Sequence, residues 1–126
     1  MRNVKSFVIK RTKWLRGEKN STLHRTCDGK ECCLGIYLRA CGFSIADIQE
    51  HLTPQGVAKK SKVPAWLIDG NSCGLRSSRN AGKLMDINDE INPELYSAVE
   101  HADFERKREF EIRTIFAKHN VKVTFV

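Results

Sequence analysis

The stretch GKECCLGIYLRACG, residues 29–42, decides the fold. From Cys33 onward, its apolar side chains fall almost all around a helical wheel, and Gly42 supplies a stop signal. A helix that is apolar on every face belongs in the middle of a core. We therefore predict a buried helix from Cys33 to Cys41, in which the cysteines act as small hydrophobic groups.

Two segments with alternating apolar residues lie near the ends of the sequence. In NVKSFVIK, residues 3–10, Phe7 and Ile9 share one side, and in VKVTFV, residues 121–126, Val123 and Phe125 do so. We expect both to be strands of one small antiparallel sheet, packed against the cysteine-containing helix and a C-terminal helix from about Asp103 to His119. The predicted fold class is α+β, with residues 1–126 forming a single domain.

The intervening segments carry weaker signals. Ser44, with an acid three residues later, predicts the capped start of a helix, and the asparagine and proline at 92–93 predict the start of another. The predicted elements are a short strand at 22–26, a helix at 45–52, a buried strand or extended segment at 63–68, a helix at 79–89 capped by Ser77 or Ser78, and a helix at 93–102. On the C-terminal helix, the spacing predicts one buried stripe formed by Phe104, Ile112, Ile115 and Phe116, with Phe110 on the opposite side.

The net charge of +7 is concentrated in one part of the sequence. Residues 1–25 contain eight basic residues and one acidic residue, whereas the basic and acidic residues after position 25 balance. A concentrated positive field attracts phosphates or acidic protein surfaces. No apolar run approaches the roughly 20 residues that span a bilayer, and no secretory leader is recognisable. We therefore expect a cytoplasmic protein that does not associate with membranes and keeps its five cysteines reduced.

The sequence contains candidates for three kinds of chemistry, none of them assembled. A zinc site would draw on His24, Cys27, Cys32 or Cys33, and Cys73, but the pattern has no second closely spaced pair of ligands. Cys32 or Cys33 at a helix start is a candidate nucleophile, yet no histidine is singled out as its base. The acids of INDEIN, residues 87–92, together with the preceding acid at 86, are interpreted as a solvated helix end. We predict no metal site, no cofactor and no catalytic residue.

The segment KRTKWLRGEK, residues 10–19, is the remaining functional signal. Its cations Lys10, Arg11, Lys13 and Arg16 surround Trp14, a combination that can bind single-stranded nucleic acid by charge and stacking. Burial of Trp14 in the core is favoured over exposure, because large aromatic side chains dominate the burial of a small domain. Together with the exposed Phe110, these residues form the predicted binding surface.

Several short motifs resemble one family. The sequences WLRG at 14–17, DGKECCLG at 28–35, ACG at 40–42, IND at 87–89 and IFAKHNVKVTF at 115–125 are similar to those of small proteins, without an assigned activity, that tailed bacteriophages and prophages encode. The resemblance implies an accessory protein in the cytoplasm of the bacterial host.

The expected function combines this resemblance with the absence of an assembled active site. We expect a non-enzymatic protein that binds a host macromolecule, with a host protein favoured, and that modulates or inhibits host machinery or defence. One alternative is nucleic-acid binding through the basic N-terminal segment, and another is a cysteine-dependent hydrolase. The sequence does not specify an oligomeric state.

Overall fold

The computed structural model describes residues 4–19, 21–54, 57, 62–68 and 80–126, and it has the α+β class that the sequence predicts. Among these described residues, a strand near the N-terminus is followed by a 3-10 turn, five helices and a second strand. In chain order the elements are β1 (Ser6–Ile9), the 3-10 turn (Arg11–Lys13), α1 (Cys33–Ala40), α2 (Ile45–Ile48), α3 (Ala65–Ile68), α4 (Asn80–Asp89), α5 (Ala98–Ala117) and β2 (Lys122–Phe125).

The strands β1 and β2 form the sheet, but they run parallel, so the predicted antiparallel sheet is wrong. Ser6 pairs with Lys122, and Ile9 pairs with Phe125. The alternation of apolar residues identifies the buried face of a strand and contains no information about its direction. Parallel neighbours need a long crossover connection, and the chain between these strands, which includes all the described helices, is such a connection.

The core is built around α1, as predicted. Cys33, Leu34 and Leu38 are buried on it, and the ring of Tyr37 contacts those of Phe7 and Phe116 with centroids 5.2 and 5.0 Å apart. These contacts join the helix to β1 and α5, in agreement with the predicted packing of the sheet against both helices.

A close backbone approach also anchors α1. A Cβ atom at Gly35 would lie 1.8 Å from the carbonyl oxygen of Leu23, so only glycine fits at this position. The residues around Leu23 contain an isolated bridge between His24 and Gln49, and the strand predicted at 22–26 is therefore wrong.

Two further elements differ from the prediction. Residues 65–68 are helical, because Pro64 opens a turn in which its carbonyl accepts the amide of Leu67. Residues 91–97 are not helical, and α5 begins only after Ser97, which forms a capping box with Glu100.

The remaining helices agree with the sequence in kind. The predicted capping box of Ser44 and Asp47 is present, although α2 ends at Ile48. α4 is confirmed. In the predicted stripe of α5, Ile112 and Phe116 are buried, whereas Phe104 and Ile115 are only half-buried. Ser77, Ser78 and Cys73 lie outside the described residues. Within the described part of the chain, no helix is long and apolar enough to cross a bilayer.

Candidate functional site

The cysteines at the start of α1 are buried. Cys32 is its N-cap and Cys33 its first residue. Desolvation raises the pKa of Cys32 to about 12, outweighing the backbone amides of Gly35 and Leu34, and it also raises the pKa of Cys33 well above its ordinary value. Both thiols are therefore protonated at neutral pH and out of contact with solvent.

His24, a candidate zinc ligand and a candidate base, is already engaged. Its Nδ1 lies 2.6 Å from a carboxylate oxygen of Glu31, which also accepts a 2.8 Å hydrogen bond from Arg39. A metal site would need at least three histidine, cysteine, aspartate or glutamate side chains close together. The described residues contain no such group. The contacts of His24 are those of a structural ion-pair cluster.

Asn88, in the IND motif, is a highly connected buried side chain that sequence reasoning missed. Its Oδ1 accepts hydrogen bonds from the Trp14 indole at 2.7 Å and from the Cys33 amide at 3.1 Å, and its Nδ2 donates to the Leu15 carbonyl and to Asp89. Asp89 is buried beside it, so the interpretation of these acids as solvated is wrong for Asp89. The polar groups serve the core and leave no open site.

The basic segment does not present all its predicted residues to a partner. Arg11 forms two 2.8 Å hydrogen bonds with Glu109, and Arg16 forms one of 3.0 Å with Glu105. Trp14 is only 2% exposed, as the favoured interpretation expects.

Lys10 and Lys13 are the predicted cations that keep a free ammonium group. Both are exposed and form no ion pair with any described residue. The 3-10 turn has three residues per turn, which places its i and i+3 side chains on one side. Of the predicted cations, these two are exposed and have no ion pair among the described residues, while Arg11 is paired but its side chain is still 47% exposed.

The paired arginines also stack on aromatic rings. The Arg16 guanidinium lies 4.3 Å from the centre of the Trp14 ring, and the centres of the Trp14 and Phe125 rings are 5.1 Å apart. The guanidinium of Arg113, on α5, lies 5.6 Å from the centre of the Phe125 ring. Stacking and ion pairing together hold residues 11–16 on α5 and on the end of β2. The main role of residues 11–16 is therefore structural, because they connect α5 with the end of β2.

A separate surface, which we call the apolar turn, consists of Ile91, Leu95, Tyr96 and Val99. Leu95 is 99% exposed and Val99 69% exposed, and the other two are also on the surface. Tyr96 and Phe104 line an adjoining cleft of about 410 Å³ whose other walls include Glu90, Glu100 and Asp103. The sequence signal that could have revealed this turn is Ser97-x-x-Glu100, which marks a helix start after the apolar residues.

A second surface, which we call the basic groove, lies where α5 ends and β2 begins. Its cations are Lys5, Arg113 and Lys122, and its floor includes Val121 and Val123. The groove has a volume of about 370 Å³, and none of its described lining residues is acidic. The predicted contact residue Phe110, 61% exposed, lies three residues before Arg113 on the same side of α5.

Comparison with protein-family models, curated proteins and solved structures finds no match.

Proposed function

We propose that this protein is a non-enzymatic, phage-encoded accessory protein of the host cytoplasm, and that it binds a host protein whose machinery or defence role it modulates or inhibits. The observation that carries the proposal is the apolar turn. Leu95 and Val99 are too exposed to contribute much to the core, and exposed apolar side chains close together in the sequence favour a surface that a partner covers.

The energetics favour a protein partner. Burying an aliphatic side chain such as Leu95 or Val99 in an interface is worth about 1.5–3 kcal/mol. Tyr96 adds an amphipathic ring of the kind that is enriched in interface cores. Three such side chains are enough for the centre of a small interface, while the surrounding polar groups would form its rim.

The charges beside the apolar turn favour protein over nucleic acid. The charged residues that line the cleft are four acids and two bases: Glu90, Glu100, Asp103, Glu111, Lys107 and Arg108. The excess of acidic groups disfavours a phosphate ligand. The nucleic-acid alternative retains Lys10 and Lys13, whereas Arg11 and Arg16 are paired with glutamates and Trp14 is buried. A partner that covers the apolar turn should present apolar side chains together with basic ones.

The burial of Cys32 and Cys33 supports a non-enzymatic role. A cysteine hydrolase needs a thiolate that a substrate can reach, and here desolvation keeps both thiols neutral. The histidine that comes before them in the sequence, His24, faces Glu31.

The test is quantitative capture from a lysate of a bacterium that carries the phage or prophage, with and without nuclease. The double variant Leu95→Glu, Val99→Glu removes the apolar turn. The matched control Val8→Glu, Leu52→Glu changes two other exposed apolar residues. We expect the wild type and the control to capture the same protein, the apolar-turn variant to lose it, and nuclease to have no effect.

Two results would contradict the proposal. One is capture of the same protein by the apolar-turn variant and the wild type. The other is release of the captured material by nuclease together with binding of oligonucleotides that weakens steeply with salt, which would support the nucleic-acid alternative.

A further inference from the structure

We propose that the outer edge of β2 is a strand-addition site for an extended acidic segment of a partner protein, held by the cations of the basic groove. In this mode of recognition a peptide adds a strand to a free sheet edge, so main-chain hydrogen bonds provide affinity and flanking side chains provide specificity. The inference does not depend on the apolar turn.

The hydrogen-bond pattern of the sheet shows which edge is available. The amides of Lys122 and Val126 donate to the carbonyls of Lys5 and Ile9, each at 2.9 Å. In a parallel pair, alternate residues point their peptide groups at the neighbouring strand. Lys122, Thr124 and Val126 therefore face β1, whereas the peptide groups of Val123 and Phe125 point the other way.

The outward peptide groups of Val123 and Phe125 have no backbone partner in the part of the chain that the structure describes. Phe125 is the more accessible of the two, because it is half-buried whereas Val123 is only 4% exposed. An edge of this kind is a template for another strand. It adjoins the basic groove, because Val123 itself lines that groove. Peptide donors and acceptors thus lie next to the side chains that select the ligand.

The cations define the chemistry of that ligand. Lys5 and Lys122 form no ion pair with any described residue. The Arg113 guanidinium is 4.0 Å from a carboxylate oxygen of Glu109, a weak contact, because Arg11 already forms two 2.8 Å hydrogen bonds with that carboxylate. Three positive groups without an acid among their described neighbours in the groove attract a negatively charged partner.

The shape of the groove favours a peptide over a nucleic acid. Its floor is formed by Val121, Val123 and Ala117, which suit alternating apolar side chains of a strand. None of the described lining residues has an aromatic ring, and the exposed ring of Phe110 lies outside the groove. Phe110 extends the surface by one helical turn beyond Arg113 and can cover an apolar residue of the bound segment.

Hydrogen exchange followed by NMR tests the site on the full chain. In the free protein, we expect the amides of Thr124 and Val126, which face β1, to exchange more slowly than the amide of Phe125, which points away from β1. A synthetic peptide that alternates glutamate and valine should shift the signals of Val123 and Phe125 and slow their exchange by about tenfold or more. The same peptide with lysine in place of glutamate should do neither.

Charge-reversal variants supply the control. The double variant Arg113→Glu, Lys122→Glu should bind the acidic peptide at least about tenfold more weakly, while Lys83→Glu, an exposed change on α4, should bind it as the wild type does. The variant Leu95→Glu, Val99→Glu should also bind it normally, so the two proposals fail separately.

Three outcomes would overturn the inference. The first is protection of the Phe125 amide in the free protein as strong as that of Thr124, because the edge would then already be occupied. The second is an acidic peptide that leaves the amides of Val123 and Phe125 unchanged. The third is an oligonucleotide that shifts the groove signals when the acidic peptide does not.

Discussion

At the scale of single residues, Asn88 shows how one side chain can join distant parts of the chain. It is 1% exposed, and it bonds to Trp14 and Leu15 from one distant segment and to Cys33 from another. These partners are far from it in sequence, so no local pattern predicts them. The burial of Cys33 could be predicted, because an all-round apolar helix requires only the spacing of its own residues.

Replacing Asn88 by alanine should lower the free energy of unfolding by about 3–5 kcal/mol, because the Trp14 indole, the Cys33 amide and the Leu15 carbonyl each lose a buried partner. Urea denaturation followed by tryptophan fluorescence measures this loss. The control Lys83→Ala, on the exposed face of the same helix, should change stability by no more than about 0.5 kcal/mol. Equal stabilities of Asn88→Ala and the control would contradict the prediction.

Thiol accessibility gives a second prediction at this scale. Brief treatment of the native protein with iodoacetamide should label the exposed Cys27 and leave Cys32, Cys33 and Cys41 unlabelled until the protein is denatured. Peptide mass spectrometry identifies each site. Native labelling of Cys32 or Cys33 at the rate of Cys27 would show a solvent-accessible thiol and restore the hydrolase alternative.

At the scale of elements, α5 is the support for the N-terminal basic segment. Glu105 and Glu109 lie one turn apart on it and bind Arg16 and Arg11. The excess of positive charge near the N-terminus could be read from the sequence. Its pairing could not, because the sequence does not show that these arginines fold back onto a helix more than 80 residues away.

This pairing makes stability depend on pH. Partial burial works to raise the pKa of Glu105, but hydrogen bonds and charge from Arg108 and Arg16 outweigh it and lower the pKa. A lowered pKa means that the stabilisation is complete above the unfolded-state value of about 4.3 and is lost as the pH falls through the folded-state value.

The variant Glu105→Gln should therefore lose less stability than the wild type when the pH falls from neutral to about 3, because it lacks a carboxylate that the folded state keeps ionised. Denaturation curves across this range measure the difference. Glu94→Gln, at an exposed position, should behave like the wild type. Parallel pH profiles of Glu105→Gln and the wild type would contradict the argument.

The start of α5 shows where local sequence patterns fail to predict a helix boundary. Asn92 and Pro93 are typical of a helix start, yet the helix begins after Ser97. Instead, Asn92 bonds to His101 and Glu105, so a tertiary contact uses the side chain that the sequence pattern assigned to capping. This displacement leaves Leu95 outside the helix, where it forms part of the apolar turn.

At the scale of the whole molecule, the parallel sheet joins the two ends of the described chain. Its two strands were predictable because each alternates apolar and polar residues, but their relative direction depends on the path of everything between them. β2 adds the buried Val123 to the core, and Phe125 to the aromatic stack with Trp14.

Deleting residues 122–126 should remove about 5 kcal/mol, from lost apolar burial and strand hydrogen bonds, which is comparable with the total stability of a small domain of about 5–15 kcal/mol. We expect loss of cooperative thermal unfolding measured by circular dichroism. The control Lys122→Ala, Thr124→Ala keeps the strand and changes its exposed face, so it should unfold cooperatively. A cooperative transition in the truncated protein would contradict the role of β2.

The pairing of Ser6 with Lys122 also has a consequence for synthesis on the ribosome. These residues are 116 positions apart, so at about 5–20 residues per second the first strand emerges about 6–23 s before its partner is made. During that interval Phe7 and Ile9 lack the neighbour beside which they are later buried. The nascent chain therefore exposes these apolar side chains to solvent until residues 122–125 have been made.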